Sequence, residues 1–365
     1  MNTYQPSLNS QWKSLDGARA LSILCVLACH LLPLGPKTYF DLNIAVGQFG
    51  MAIFFSLSGF LIAHKLITER SLVEFAINRA FRIMPLLLLL LAITFAWRMP
   101  NTSMESFSTH FLVIVNNFPE HYFKETEHLW SVCVEIHFYI LAALGFLVFK
   151  RSGLKLLVML GVVLSIYRFQ EQALFSTTTL FRLDELLIGL SLGLIWHSDS
   201  PLSQYLKKNL AMINPLYMMI GLAVASLAPP HPLLFILRPY IAALFIGSLL
   251  FNTQAYATRT LASSMWSWIS KHSYALYIIH PFLLLTWLSS GDKLTMYAKR
   301  PLLFIVLFAV AYVSTRYYEQ FFIQVGKQWI KYRRTSKTGT PITVPTPTHL
   351  EPVFYEHRTK NTVRT

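Results

Sequence analysis

Acidic side chains are scarce in this sequence: 17 Asp and Glu stand against 31 Lys and Arg in 365 residues, and the four charged types make up only 13%. A chain so poor in charge cannot clothe a large water-facing surface. Its 54% hydrophobic content and mean hydropathy of +0.46 instead fit a protein dissolved in a bilayer. Cysteine is nearly missing as well. The three present, Cys25, Cys29 and Cys133, lie in apolar runs without zinc spacing, which excludes a disulfide framework and gives no metal site to expect. A GxSxG elbow is absent, since "SLSG" around Ser58 does not supply one, and so is a glycine-rich phosphate loop. The segment "HYFKETEH", with His121, Glu125, Glu127 and His128, meets no zinc spacing and reads as a solvated loop. Neither an internal repeat of roughly 20–50 residues nor a second soluble domain is visible.

Long apolar runs are what the chain has in quantity. A helix needs roughly 20 mainly apolar residues to cross hydrocarbon. That ruler predicts spans near 17–34, 45–64, 83–99, 129–149, 154–170, 178–196, 211–228, 233–251, 272–290 and 301–322. The expected fold class is an all-α polytopic membrane protein of about ten transmembrane helices with an internal polar cavity. Phe107 to Phe118 is apolar but too short to span and reads as re-entrant or interfacial. Leu261 to Lys271, with Trp266 and Trp268, reads as a helix lying in the headgroup layer.

Basic loops stay cytoplasmic, so the Lys and Arg pattern sets orientation. With the N-terminus inside, 21 of the 31 basic residues fall on the inner side and 8 on the outer, which predicts both termini to be cytoplasmic in an inner membrane. Residues 1–14 are then a cytoplasmic segment, 15–322 the transmembrane domain, and 323–365 a basic tail. The Thr- and Pro-rich part of that tail, from about Thr335, is expected to be disordered. No removable signal peptide is read at the N-terminus. The net charge of +14 follows largely from this topology. The basic residues are dispersed, and nucleic acid is not an expected partner.

Against this background the ionisable residues inside spans stand out, because each is costly in hydrocarbon unless it faces a cavity, a partner or a substrate. In "LDGARALSILCVLACH" Arg19 and His30 are eleven residues apart, which returns the helix to within roughly 20° and separates them by about 16 Å along one face. In "NRAFRIMP", Arg79 and Arg82 share a face, suited either to gripping phosphate or to fixing topology. "FFSLSGFLI" brings Ser56, Ser58 and Gly59, small enough for close helix contact. "HLWSVCVEIHFY" carries Trp130, Glu135, His137 and Tyr139. "FRLDELLIGL" carries Arg182, Asp184 and Glu185, with an internal Arg182–Asp184 ion pair as the expectation. "SYALYIIHP" lines up Tyr274, Tyr277 and His280 along one edge.

These pieces, in this order from residue 15 to 281, resemble the acyltransferase type 3 family of integral membrane acyltransferases that modify carbohydrates. The sequence departs from the family pattern at Ile136 and His137, leaving Glu135 the only carboxylate of that motif. Glu319 in "RYYEQFF" answers a late family glutamate without the proline that usually follows. The resemblance implies transfer of an acyl group, most often acetyl, from cytoplasmic acyl-CoA, a co-substrate and not a tightly bound cofactor. The implied acceptor is a sugar hydroxyl of a polysaccharide such as the O-antigen of lipopolysaccharide, of capsule, or of a secreted or lipid-linked glycoside. Arg19, Arg79 and Arg82 then bind the donor. His30 is the general base or an acyl carrier, with Glu135 to orient it. His280, Tyr274 and Tyr277 serve the oxyanion or the sugar, and Ser58, Trp130, Tyr139, Arg182 and Asp184 support. Membrane lipids are partners by construction, and a homo-oligomer stays open. The rival expectation is a proton-coupled transporter or flippase for a lipid-linked saccharide, against which the absence of paired internal halves counts.

Overall fold

The computed structural model describes residues 8–35, 41–69, 71–99, 102–229 and 231–338. The expected termini before residue 8 and after 338 lie outside them. Among the described residues there is no strand. Six stretches are long and apolar enough to cross a membrane: Gln11–Leu31, Leu42–Thr68, Leu72–Arg98, Glu127–Gln170, Pro232–Phe251 and Arg300–Thr335. Three of them are the helices α1 (Leu8–Leu31), α2 (Leu42–Thr68) and α3 (Leu72–Arg98). Asp41 and Ser71 cap α2 and α3 by accepting from backbone N–H groups of their first turns.

A short α4 (Met104–Phe111) and one 3-10 turn (Val115–Asn117) occupy the apolar stretch expected to be too short to span, and a second turn (Pro119–His121) follows it. α5 (Trp130–Gln170) is long but broken, because Lys150 takes a left-handed φ of 52° in its middle. The chain folds back there, and the two halves meet where Gly153 packs on the backbone of Gly145. The expected spans 129–149 and 154–170 fall on these halves. α6 (Leu183–Trp196) and α8 (Pro215–Ala225) are only 14 and 11 residues long, shorter than the roughly 20 that hydrocarbon demands, so this measure does not reach the ten spans expected. Between them lies the amphipathic α7 (Pro201–Met212), and after them α9 (Pro232–Phe251) and the short α10 (Tyr256–Leu261).

Two expectations are corrected further along. α11 runs unbroken from Ser264 to Leu284, so Trp266 and Trp268 begin the helix that carries His280 and do not form a separate interfacial one. After α12 (Lys293–Ala298), α13 (Arg300–Val313) passes through a π-turn, Ser314–Glu319, into α14 (Gln320–Thr338). The segment 323–338, read as part of the tail, is therefore helix. Tyr318 bonds the carbonyl of Pro85, and Arg334 forks onto Glu74, which holds this last helix against α3.

At the centre, α2 packs on α1, α5, α6 and α9. The α2–α6 crossing is close because Gly59 and Gly189 have no side chains: a Cβ on Gly59 would stand 2.1 Å from the carbonyl oxygen of Leu186. The small-residue reading of "SLSGF" is realised there.

Candidate active site

Helices α1, α2, α3, α5 and α11 enclose a pocket of about 330 Å³. One end is basic. Arg19 of α1, Lys65 of α2, and Arg79 and Arg82 of α3 line it, accompanied by a single carboxylate, Glu135 of α5. Lys65 pairs with Glu69 at 3.7 Å, whereas no carboxylate lies within ion-pair distance of Arg19, Arg79 or Arg82 among the described residues. Three guanidiniums gathered without a direct ion-pair partner, with Glu135 the one carboxylate beside them in the lining, leave an excess of positive charge that attracts anions. Arg79 Nε is buried with no hydrogen-bond partner.

The wall between the ends carries the expected Ser58, Tyr139, Tyr274 and Tyr277. Ser58 Oγ donates to Glu135 Oε1 at 2.9 Å, and the Tyr139 hydroxyl donates to the same oxygen. Glu135 is thus tied to α2 and to its own next turn, and it does not orient His30 as the sequence reading had it. Tyr274 donates to the Ile83 carbonyl at 2.6 Å, and Tyr277 donates to the His128 carbonyl while bonding Ser131.

The other end points at histidines. Val26, Ser131 and Tyr277 line the pocket, and His30, His128 and His280 lie four residues beyond, three before and three beyond them respectively, which is one helical turn onward in each case. The pocket lining itself stops short of His30. His30 Nδ1 and His280 Nε2 are 2.8 Å apart, with the rings stacked at 5.0 Å. His280 is fully buried, and its Nδ1 bonds the Tyr277 carbonyl at 2.7 Å. A carbonyl can only accept, so Nδ1 of His280 carries the proton and Nε2 of this neutral, buried ring accepts from Nδ1–H of His30. Nε2 of His30 is left with a lone pair. His280, not Glu135, therefore sets the tautomer of His30, and its own N–H is engaged by backbone and is not free for an oxyanion.

His128 was missed. Read as part of a solvated loop, it is 5% exposed and packs its ring at 5.3 Å from Tyr277 and 5.4 Å from His280. Only a contact across about 150 residues of chain reveals it, although its position at the mouth of a span was visible. His137 is away from this group and bonds Thr179.

Arg182, Asp184 and Trp130 belong to a second cluster. Asp184 pairs with Arg168 at 2.7 Å and Arg182 with Glu185 at 3.1 Å, so the expected Arg182–Asp184 pair is not formed. Residues two apart on a helix do not face each other, whereas three apart do. Arg238 of α9 joins through Glu185 and donates to Gln48 at 2.7 Å. Trp130 lies under Arg182 at 5.1 Å. Glu319 is buried and accepts from Thr315 inside the π-turn, apart from the pocket lining. Among the described residues, no group of three His, Cys, Asp or Glu is arranged to hold a metal ion.

A family model described as an acyltransferase domain matches residues 12–316, which includes the pocket and both clusters. The peptidoglycan O-acetyltransferase OatA of Listeria monocytogenes is 24% identical over 75% of this chain and 49% of its own length. The O-acetyltransferase OatA of Staphylococcus aureus is 25% identical over 73% of this chain and 49% of its own. The chain thus spans about half the length of these relatives. No solved structure matches it.

Proposed function

The chain belongs to this acyltransferase family, and from that premise we propose that it is a multi-pass membrane O-acetyltransferase that carries an acetyl group from cytoplasmic acetyl-CoA to a hydroxyl of a cell-surface carbohydrate. The observation that carries the reading is a pocket lined by three arginines with no ion-pair partner among the described residues, whose far wall ends one helical turn short of the His30–His280 pair. The basic end suits the phosphates of a CoA headgroup. Arg19 and His30 are about 16 Å apart along α1, a distance that a pantetheine arm can follow. The thioester is then delivered to the histidine end.

There, Nε2 of His30 takes the proton of the acceptor hydroxyl as its oxygen bonds to the thioester carbon. The carbon–sulfur bond breaks, and the departing thiolate recovers the proton from His30. An ester and free CoA result. His280 acts as a positioning residue, holding the His30 tautomer that leaves Nε2 open. Peptidoglycan is the acceptor in the name of the Listeria relative, and it leads the candidates here, with other envelope polysaccharides behind it. The basic bias of the inner loops supports an inner-membrane location with both termini in the cytoplasm.

Membranes holding the protein, supplied with acetyl-labelled CoA, should place label in glycan ester. Replacing His30→Gln should lower that by about 10²–10⁴-fold, the usual worth of a positioned general base. Wild-type label from that variant overturns the assignment. Saccharide crossing the membrane without any acyl donor supports the transporter instead.

A further inference from the structure

Transfer to a hydroxyl passes through a tetrahedral carbon whose oxygen bears negative charge, and an oriented hydrogen-bond donor stabilises it. Each polar group at the histidine end can be asked where its proton goes. The N–H of His280 goes to the Tyr277 carbonyl. The Nδ1–H of His30 goes to His280. The Tyr277 hydroxyl goes to the carbonyl of His128, and the Tyr274 hydroxyl to that of Ile83. His128 is the least engaged of these five. Both of its ring nitrogens are buried and neither makes a well-aligned hydrogen bond among the described residues, the backbone of Ile278 being a weak partner nearby. Leaving a buried polar group unsatisfied costs about 1–3 kcal/mol. Meanwhile its backbone is pinned by Tyr277, and its ring is wedged against Tyr277 and His280.

We propose that His128 is a catalytic residue that donates its ring N–H to the thioester carbonyl oxygen during transfer. This rests on the acyl-transfer reading above. The hydroxyl oxygen bonds to carbon while its proton moves to Nε2 of His30, and the carbonyl electron pair shifts onto oxygen. His128 donates a hydrogen bond to that oxygen without releasing its proton. The pair returns as the carbon–sulfur bond breaks and the thiolate collects the proton from His30. The under-bonded imidazole of the empty protein meets the thioester carbonyl on binding and bonds it more strongly as charge develops on that oxygen, which is how a site favours the transition state over the ground state.

The test uses the full chain in lipid nanodiscs with acetyl-CoA carrying a ¹³C carbonyl. His128→Phe keeps an aromatic ring without a donor, and His128→Gln keeps a donor without the ring. Expected is a fall in kcat of about 10²–10³-fold for the Phe variant, with the donor KM within about twofold of wild type. The Gln variant should recover part of kcat. In the infrared spectrum, the carbonyl band of bound acetyl-CoA should move to higher frequency in the Phe variant and return toward wild type with Gln. Unchanged kcat in the Phe variant overturns the proposal, as does an equal loss in both variants, which is the mark of packing alone. If the wild-type protein transfers no acetyl group at all, the acyl-transfer reading fails and the His128 assignment falls with it.

Discussion

Two arginine trios lie inside this molecule, and they are built on opposite plans. Arg168, Arg182 and Arg238 are 0–1% exposed and share two carboxylates, Asp184 and Glu185, with Gln48 and Ser165 adding hydrogen bonds to the cluster. Arg19, Arg79 and Arg82 face a pocket and have no carboxylate within pairing distance among the described residues. The first trio ties α2, α5, α6 and α9 together and presents no lining to the pocket. The second has no ion-pair partner among the described residues, which is the arrangement the proposed CoA phosphates would meet. Arginine content alone says nothing about function in a membrane; what matters is whether the counter-charge comes from the protein.

The largest expected effect breaks the first plan. Glu185 touches all three of its arginines, so Glu185→Ala leaves Arg182 and Arg238 without a carboxylate and Arg168 with Asp184 alone, at a cost of about 3–5 kcal/mol. Little folded protein should be recovered in detergent, and a thermal midpoint equal to wild type would show that the cluster does not hold the helices. Next, Arg82→Ala should weaken CoA binding by about 10–100-fold, the loss of one charge-assisted hydrogen bond to phosphate. Its thermal midpoint should hold or rise, because a repulsive neighbour of Arg19 and Arg79 is gone. A variant that unfolds while keeping its CoA affinity would reverse the distinction between the two trios. A milder effect is expected at Ser58→Ala, which removes one bond to Glu135 worth about 1 kcal/mol. It should show as a shift of a few degrees in melting. Least of all, Arg334→Ala breaks an exposed fork onto Glu74 at the edge of α3, and should change stability by less than about 1 kcal/mol and leave acetyl transfer untouched.

Much of this architecture was legible in the residues. The apolar runs placed α1, α2, α3 and α9, and both halves of α5, because hydrocarbon thickness leaves few ways to satisfy a backbone. The spacing of Arg19 and His30, and of Tyr274, Tyr277 and His280, put each set on one face before any contact was known. What failed was pairing between elements. That His280 rather than Glu135 meets His30 depends on how α11 and α5 are turned, and a helix face does not name its partner. The partners of Arg182 and Asp184 were half legible, since Glu185 at three residues was the better candidate and Arg168 could come only from packing of α5 on α6. His128 was hidden by its polar neighbours in "HYFKETEH", of which Glu125 does reach outward to Arg98. The continuation of α14 to Thr338 was hidden by its basic residues, which read as tail until Arg334 is seen on Glu74.

Ser58 and Gly59 are neighbours on α2, one reaching across the pocket wall to Glu135 and the other pressed on α6. The width of the chamber is thus gauged by an empty space on its far side. A single methyl group at residue 59 would act as a shim, lifting α2 off α6 and shifting the wall it carries, so the tolerance of the chamber is set by a residue outside its lining.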